Sequence, residues 1–209
     1  YLAGNPDYMV QIFNKNGIKY IVYTNEVVAK TAEESLDYVI NSVNVFSQRY
    51  GDYPYRELEM VATPTSALGV EYPGIMALNQ ILFDPDEMLS GMSTTYLIES
   101  VIVHEVAHEW FYNIVGNDQG REPWLDEAVA QYMTYQYFLD KYNASAADNF
   151  EASWYSRWDR VEREPIPIGM PVESYQGREY SAIVYGRGPI FLLELSQVMG
   201  EGKFDEFLF

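Results

Sequence analysis

The sequence predicts an α+β fold, a mixed α/β lobe at residues 1–92 packed on a helical lobe at residues 93–209. Two observations lead there. The first part holds β-rich runs punctuated by Gly, Pro and Asn, and from Ser93 onward the apolar residues recur with the 3.6-residue helical period. A third sets the scale: 209 residues, 48% hydrophobic and 16% aromatic, make one domain or two closely packed lobes with an ample core.

In chain order, YMVQIF (8–13) and GIKYIVYT (17–24) read as a hairpin turning at Asn16 and Gly17. A helix comes next, with Thr31 and Glu34 as a capping box and Leu36, Val39, Ile40, Val43 and Phe46 as its apolar stripe, until Gly51 ends it. LEMVAT (58–63) and IMALNQILF (75–83) read as strands on either side of a Gly- and Pro-containing stretch, 64–74. In the helical lobe Leu97, Ile98, Val101, Ile102, Ala107 and Phe111 form the apolar face of a long helix from Ser93, with Gly116 as its stop. A second helix starts near Pro123, a third covers about 145–163, and a fourth starts near Pro189; EPIPIGMP (164–171) is a crossing loop.

Composition excludes some functions. Thirteen basic against 31 acidic residues give a net charge of −18, which repels nucleic acid and anionic lipid headgroups alike. Without cysteine there is no disulfide, thiolate ligand or thiol nucleophile, so a metal here must be held by His, Asp and Glu. No apolar run reaches the length of a membrane span, and YLAGNPDY lacks the layout of a signal peptide. In GKFDEFLF the spacing of Phe204, Phe207 and Leu208 marks an apolar helical face with nothing after it to bury it, as expected of a piece of a longer protein. Asn143-Ala144-Ser145 matches a glycosylation sequon, which tilts the compartment toward an extracytoplasmic one.

The only two histidines stand in VIVHEVAHEWFYN (101–113), four residues apart. On a helix those positions lie about 40° apart around the axis, so His104 and His108 can converge on one metal ion. Glu105 comes directly after the first histidine, and its carboxylate can flank an attacking water without ligating the metal. The spacing is HExxH, a zinc-hydrolase pattern; the plain alternative is a solvated helix face. A catalytic zinc takes three protein ligands and leaves the fourth position open, so one more is needed. Glu109, Asp118, Glu122, Asp126 and Glu127 are the candidates downstream. Glu127 lies beyond His108 at a distance that lets the first helix finish, the chain turn, and an antiparallel helix return a carboxylate to the same point.

HEVAHEW, with eighteen residues between its second histidine and the Glu of WLDEAVA, resembles the HExxH-x18-E signature of the gluzincin zinc aminopeptidases, the family of aminopeptidase N and the leukotriene hydrolase-aminopeptidase. LGVEYPG (68–74) is similar to that family's GAMEN exopeptidase motif, and YSAIVYGRG (180–188) resembles its catalytic-tyrosine segment. The resemblance implies a thermolysin-like zincin catalytic domain with one zinc per chain in the cleft between the lobes. It implies His104, His108 and Glu127 as ligands, Glu105 as general base and Tyr185 as the phenol that stabilises the transition state. Glu71, Gly69 and Tyr180 are implied to contact the substrate, Glu71 by pairing with its free α-amine. Two positions depart from the pattern: Tyr72 stands where the family has Asn, and Arg187 where it has Lys. Family members also carry flanking domains that 209 residues do not hold, so a catalytic domain alone is expected.

The chemistry stands on its own terms. Zinc polarises a scissile carbonyl and acidifies water, a carboxylate takes that proton and delivers it to the leaving amine, and a neutral phenol donates to the oxygen that gains charge. The expected activity is release of N-terminal residues from peptides with a free N-terminus. A zinc endopeptidase, a hydrolase of another small substrate and a non-catalytic peptide-binding module are the alternatives.

Overall fold

The computed structural model describes residues 4–89 and 91–208; the first three residues of YLAGNPDY and Phe209 of GKFDEFLF lie outside the described residues. Two compact units divide the chain, Tyr1–Asn44 with Tyr53–Glu109, and Val45–Asp52 with Trp110–Phe209.

The first unit is built on a five-stranded sheet. β1 (Met9–Lys15) and β2 (Ile18–Thr24) form the expected antiparallel hairpin, and Asn16 and Gly17 take the positive φ values, 54° and 80°, that such a two-residue turn requires. α1 (Ala29–Tyr50) buries the whole expected stripe from Leu36 to Phe46 and ends at Gly51, whose φ is 96°. Its start differs from the Thr31 capping box. Asn25 Oδ1 accepts from the N–H groups of Val27 and Val28 at 3.0 and 3.2 Å, so the chain is turned before the helix and Thr31 falls inside it.

β3 (Glu57–Thr63) lies parallel to β2, and β5 (Ile75–Asn79) parallel to β3. The stretch between them carries β4 (Gly69–Tyr72), antiparallel to β5, so the order is β1-β2-β3-β5-β4 and β4 is an edge. The strand expected over 75–83 stops at Asn79 because that side chain accepts from Ile81 N–H and caps a 3₁₀ turn, Gln80–Phe83. Two short strands, β6 (Met88–Leu89) and β7 (Met92–Ser93), precede α2 (Thr94–Ala107), which Ser93 caps through Thr95 N–H.

α2 does not run to Gly116. It ends one residue before His108, and beyond it Tyr112 has φ 122°, which no helix accommodates. His108 itself keeps helical dihedrals (φ −65°, ψ −14°), so the relation of the two histidines survives at the helix end.

The second unit is helical: α3 (Trp124–Lys141), α4 (Ala144–Trp158), α5 (Glu179–Ala182), α6 (Gly188–Met199) and α7 (Glu201–Leu208). α4 gives way to a 3₁₀ turn at Asp159–Val161 and stops short of residue 163, where Glu162 and Arg163 both have positive φ. The helix expected near Pro189 begins a full segment earlier, since α5 runs through a π-helical turn, Ile183–Arg187, into α6. Pro189 occupies the first turn of α6, directly after the π-helical turn.

Arg49 ties this unit together, bonding Asp140 on α3 at 2.6 and 2.7 Å and Asp205 on α7 at 3.0 Å. Phe204 is buried edge-on against Tyr132 of α3, whereas Phe207 is 69% exposed, so the apolar face at GKFDEFLF is half covered by its own unit. No helix among the described residues is long and apolar enough to cross a membrane.

Two glycines set the helix spacing. A Cβ at Gly188 would stand 2.8 Å from Ala128 Cβ, and one at Gly186 would stand 2.9 Å from Trp154 O and 3.2 Å from Trp158 N, both α4 backbone. Backbone cannot yield as a side-chain tip can. Gly186→Ala is therefore expected to destabilise the protein by about 1–3 kcal/mol, as overpacking does, read as a lower urea midpoint at unchanged slope.

Candidate active site

The last turn of α2 is the most polar buried segment of the first unit. His104, Glu105, His108 and Glu109 are all buried, at 7, 5, 1 and 0% exposure. Ile98, Ile102, Val103 and Val106 fill the apolar positions around them and hold the helix in place. The imidazole Nε2 atoms of His104 and His108 stand 3.3 Å apart, with the rings nearly perpendicular at 86°. Two nitrogens bound to one tetrahedral zinc at ~2.0–2.1 Å would be about 3.3 Å apart, so this separation fits a shared metal. The ligating atoms of His104, His108 and Glu127 all lie within 4.8 Å of one another. Two imidazoles and a carboxylate form the donor set of a catalytic zinc, with a fourth position left open.

The other acidic candidates have different partners. Asp118 Oδ1 accepts from Gly120 and Arg121 N–H at 3.1 Å each and shapes the loop before α3. Asp126 Oδ1 accepts from Glu127 N–H at 2.9 Å, while Glu122 is exposed. Glu109 is held in its own unit: Gly74 N–H donates to its Oε2 at 3.0 Å and the Tyr53 hydroxyl at 3.2 Å. Burial pushes the Glu109 carboxyl up to about 7, against the opposing effects of those two donors and of His108.

Glu105 lies directly under β4. A Cβ built on Gly69 would fall 2.2 Å from Glu105 Oε1, so the glutamate occupies space that only glycine leaves open. Side chains two apart on a strand share a face, which turns Glu71 toward the Glu105 side of β4.

In the second unit Tyr185 sits in the π-helical turn, half-buried. Single π turns inside helices widen the local backbone and recur at functional sites. Its ring meets Tyr180 at 5.8 Å between centroids and 72°, and Tyr180 meets Tyr175 at 5.9 Å and 67°. The Tyr175 hydroxyl donates to Ile168 O at 2.6 Å, which fastens this aromatic ladder to the Pro-rich loop. Arg187 donates to Ile166 O and lies over the Trp158 ring, so the cation at that position braces the loop. Arg157, whose guanidinium is pulled down to about 10 by burial with Arg160 adding to the effect, stays charged at neutral pH; Tyr185 opposes the shift.

Sequence reasoning missed Tyr53, Gly74 and Arg157, and passed over Glu109 except as a ligand. For Tyr53, Gly74 and Glu109 the roles come from contacts across 35 and 56 residues of chain, for which no local pattern exists. A buried acid beside HExxH was the one available signal.

Residues 34–209 match the model of the peptidase family M1 domain. The chain is 27% identical over 198 residues to aminopeptidase M1-B of Oryza sativa subsp. japonica, covering 92% of this chain and 23% of that protein. It is 28% identical over 205 residues to human endoplasmic reticulum aminopeptidase 2, covering 93% and 21%. The chain thus spans about a quarter of the length of the curated relatives it matches. Among solved structures, native yeast LTA4 hydrolase superposes with a TM-score of 0.74 at 16% identity, covering 95% of this chain and 32% of that one, a likeness of fold.

The geometry generates a metal prediction. The protein should take up one zinc per chain, and His104→Ala should lose it on metal analysis after dialysis against a weak chelator. Glu105→Gln should keep stoichiometric zinc, because that side chain is not a ligand. Full zinc content in His104→Ala would remove the assignment.

Proposed function

The chain belongs to peptidase family M1, and we propose that it carries the active site of a zinc aminopeptidase that hydrolyses the N-terminal bond of peptides. One observation carries the metal reading: two buried imidazole nitrogens 3.3 Å apart with a carboxylate in their company. Zinc, when bound to His104, His108 and Glu127, would supply Lewis acidity, polarising the scissile carbonyl and acidifying the attacking water.

The chain's own side chains do the rest. Glu105 takes the proton of the attacking water and passes it to the leaving amine, which cannot depart as an amide anion. Its seat against Gly69 supports this role, since a base confined by packing stays aligned without reorganisation. Tyr185 donates its phenolic proton in a hydrogen bond to the carbonyl oxygen as that oxygen gains charge, a contact that strengthens toward the transition state. Tyr180, edge-on to it, limits the ring's rotation and contacts the substrate.

Substrate recognition rests on β4. An edge strand offers its outer backbone groups to an extended peptide, which can add to the sheet as a further strand. Glu71 on that strand pairs with the peptide's terminal ammonium, which fixes the first peptide bond over the reacting groups and disfavours chains that continue upstream. The substrate class is therefore a peptide with a free N-terminus. The names of the relatives, aminopeptidases from rice and human, support this reading.

Two sets of measurements test it. Glu105→Gln should lose nearly all turnover with zinc retained, and Tyr185→Phe should lose roughly 10²-fold or more in kcat with KM little changed, as for one oxyanion donor. An unimpaired Tyr185→Phe enzyme would move that role elsewhere. In the full-length protein an aminoacyl-anilide with a free amine should be cleaved and its N-acetylated counterpart should be nearly inert. Glu71→Ala should cost about 2–5 kcal/mol of transition-state binding on the free-amine substrate and little on the blocked one. Equal cleavage of both substrates by the wild type would reject the aminopeptidase and leave a zinc endopeptidase or other zinc hydrolase.

A further inference from the structure

The hairpin that carries Glu71 ends in the two-residue turn Pro73-Gly74, with Tyr72 paired to Ile75 across it. Gly74 has φ 73°, and both of its backbone groups are occupied: its carbonyl accepts from Glu59 N–H at 2.8 Å, and its N–H donates to Glu109 Oε2 at 3.0 Å. Glu109 is the residue after His108 and is fully buried. The same Oε2 accepts from the Tyr53 hydroxyl at 3.2 Å, and that hydroxyl also lies 3.3 Å from Glu57 O at the start of β3. One carboxylate oxygen thus joins the end of the histidine segment, the tip of the β4–β5 hairpin and the entry to β3.

We propose that Glu109 is a positioning residue that sets the distance between Glu71 on β4 and the imidazoles of His104 and His108, and so determines which peptide bond, counted from the N-terminus, is cut. This rests on the aminopeptidase reading and deepens it. β4 is an edge strand paired in the sheet with β5, so its tip needs a second anchor if the amine site is to stay in register with the metal ligands. A side chain next to the histidines provides that anchor directly, with no segment between it and the second imidazole. In this proposal the carboxylate acts through position alone, with its Oε2 taken up by Gly74 and Tyr53.

The test compares Glu109→Met with Glu109→Gln in the full-length protein, using the aminoacyl-anilide and its N-acetylated form. Methionine fills the space and removes the acceptor; glutamine keeps an acceptor oxygen for the Gly74 N–H. In Glu109→Met, zinc should stay stoichiometric while KM for the free-amine substrate rises on the order of 10- to 100-fold, the scale of a misplaced substrate contact. Cleavage of the blocked substrate should change little, so the preference collapses, and Glu109→Gln should restore most of it. A Glu109→Met enzyme that keeps its preference, or that loses zinc, overturns the inference. Should that variant not fold, Tyr53→Phe decides: it frees the carboxylate on one side and must lower the preference, and an unchanged preference overturns the inference. Failure of the wild type to discriminate at all would instead sink the aminopeptidase reading, and this inference with it.

Discussion

Two imidazole nitrogens held 3.3 Å apart in a buried place constrain everything around them. Lone pairs at that distance repel unless a proton or a cation lies between them, so the pair is suited to sharing one or the other. The helix that carries the pair is held by hydrophobic packing, with Ile98, Ile102, Val103 and Val106 buried along α2. The helix stops as soon as the second histidine is in place. Past it, the chain's needs change from regular hydrogen bonding to delivering Glu109 to Gly74 and turning at Tyr112.

Around this pair, carboxylates of the same chemical kind are separated by their surroundings. Glu105 is confined by Gly69, a position where any other residue would displace it. Glu109 is committed to an amide and a phenol, and burial favours its neutral form more than is usual for a glutamate. Asp126 holds the first turn of α3 through the amide of Glu127, and Asp118 shapes the loop ahead of it. In the proposed reaction only Glu105, Glu71 and Glu127 remain for proton transfer, amine pairing and metal ligation. A net charge of −18 makes carboxylates abundant; burial and hydrogen bonding are what give a few of them distinct tasks.

In the second unit Tyr185, the phenol of the proposed reaction, is seated by a different device. Gly186 and Gly188 let the π turn lie directly against α4 and α3, and the ladder from Tyr175 through Tyr180 reaches Tyr185. For the donor role proposed, a ring with an edge-on neighbour has fewer rotamers to lose as charge develops near it, as preorganisation requires.

The sequence by itself determined the features that local periodicity and short spacing encode. The β1–β2 turn needs positive φ and has Asn16-Gly17; the α1 stripe repeats with the helical period; and HExxH puts two imidazoles on one face wherever it is helical. Glu127 was one of five acids within reach and was favoured by the spacing of two helices, whereas Tyr185 was singled out only through resemblance to a known motif, since one phenol among 19 tyrosines carries no local signal. Tertiary structure decided the remainder. That β4 is a strand depends on its pairing with β5, and that α2 ends at Ala107 depends on the route the chain takes through Glu109 and Tyr112. That Glu109 accepts hydrogen bonds from Gly74 and Tyr53 depends on segments 35 and 56 residues away. The reason is physical: helical period and turn geometry are properties of neighbouring residues, whereas a hydrogen bond between distant segments exists only once packing has brought them together.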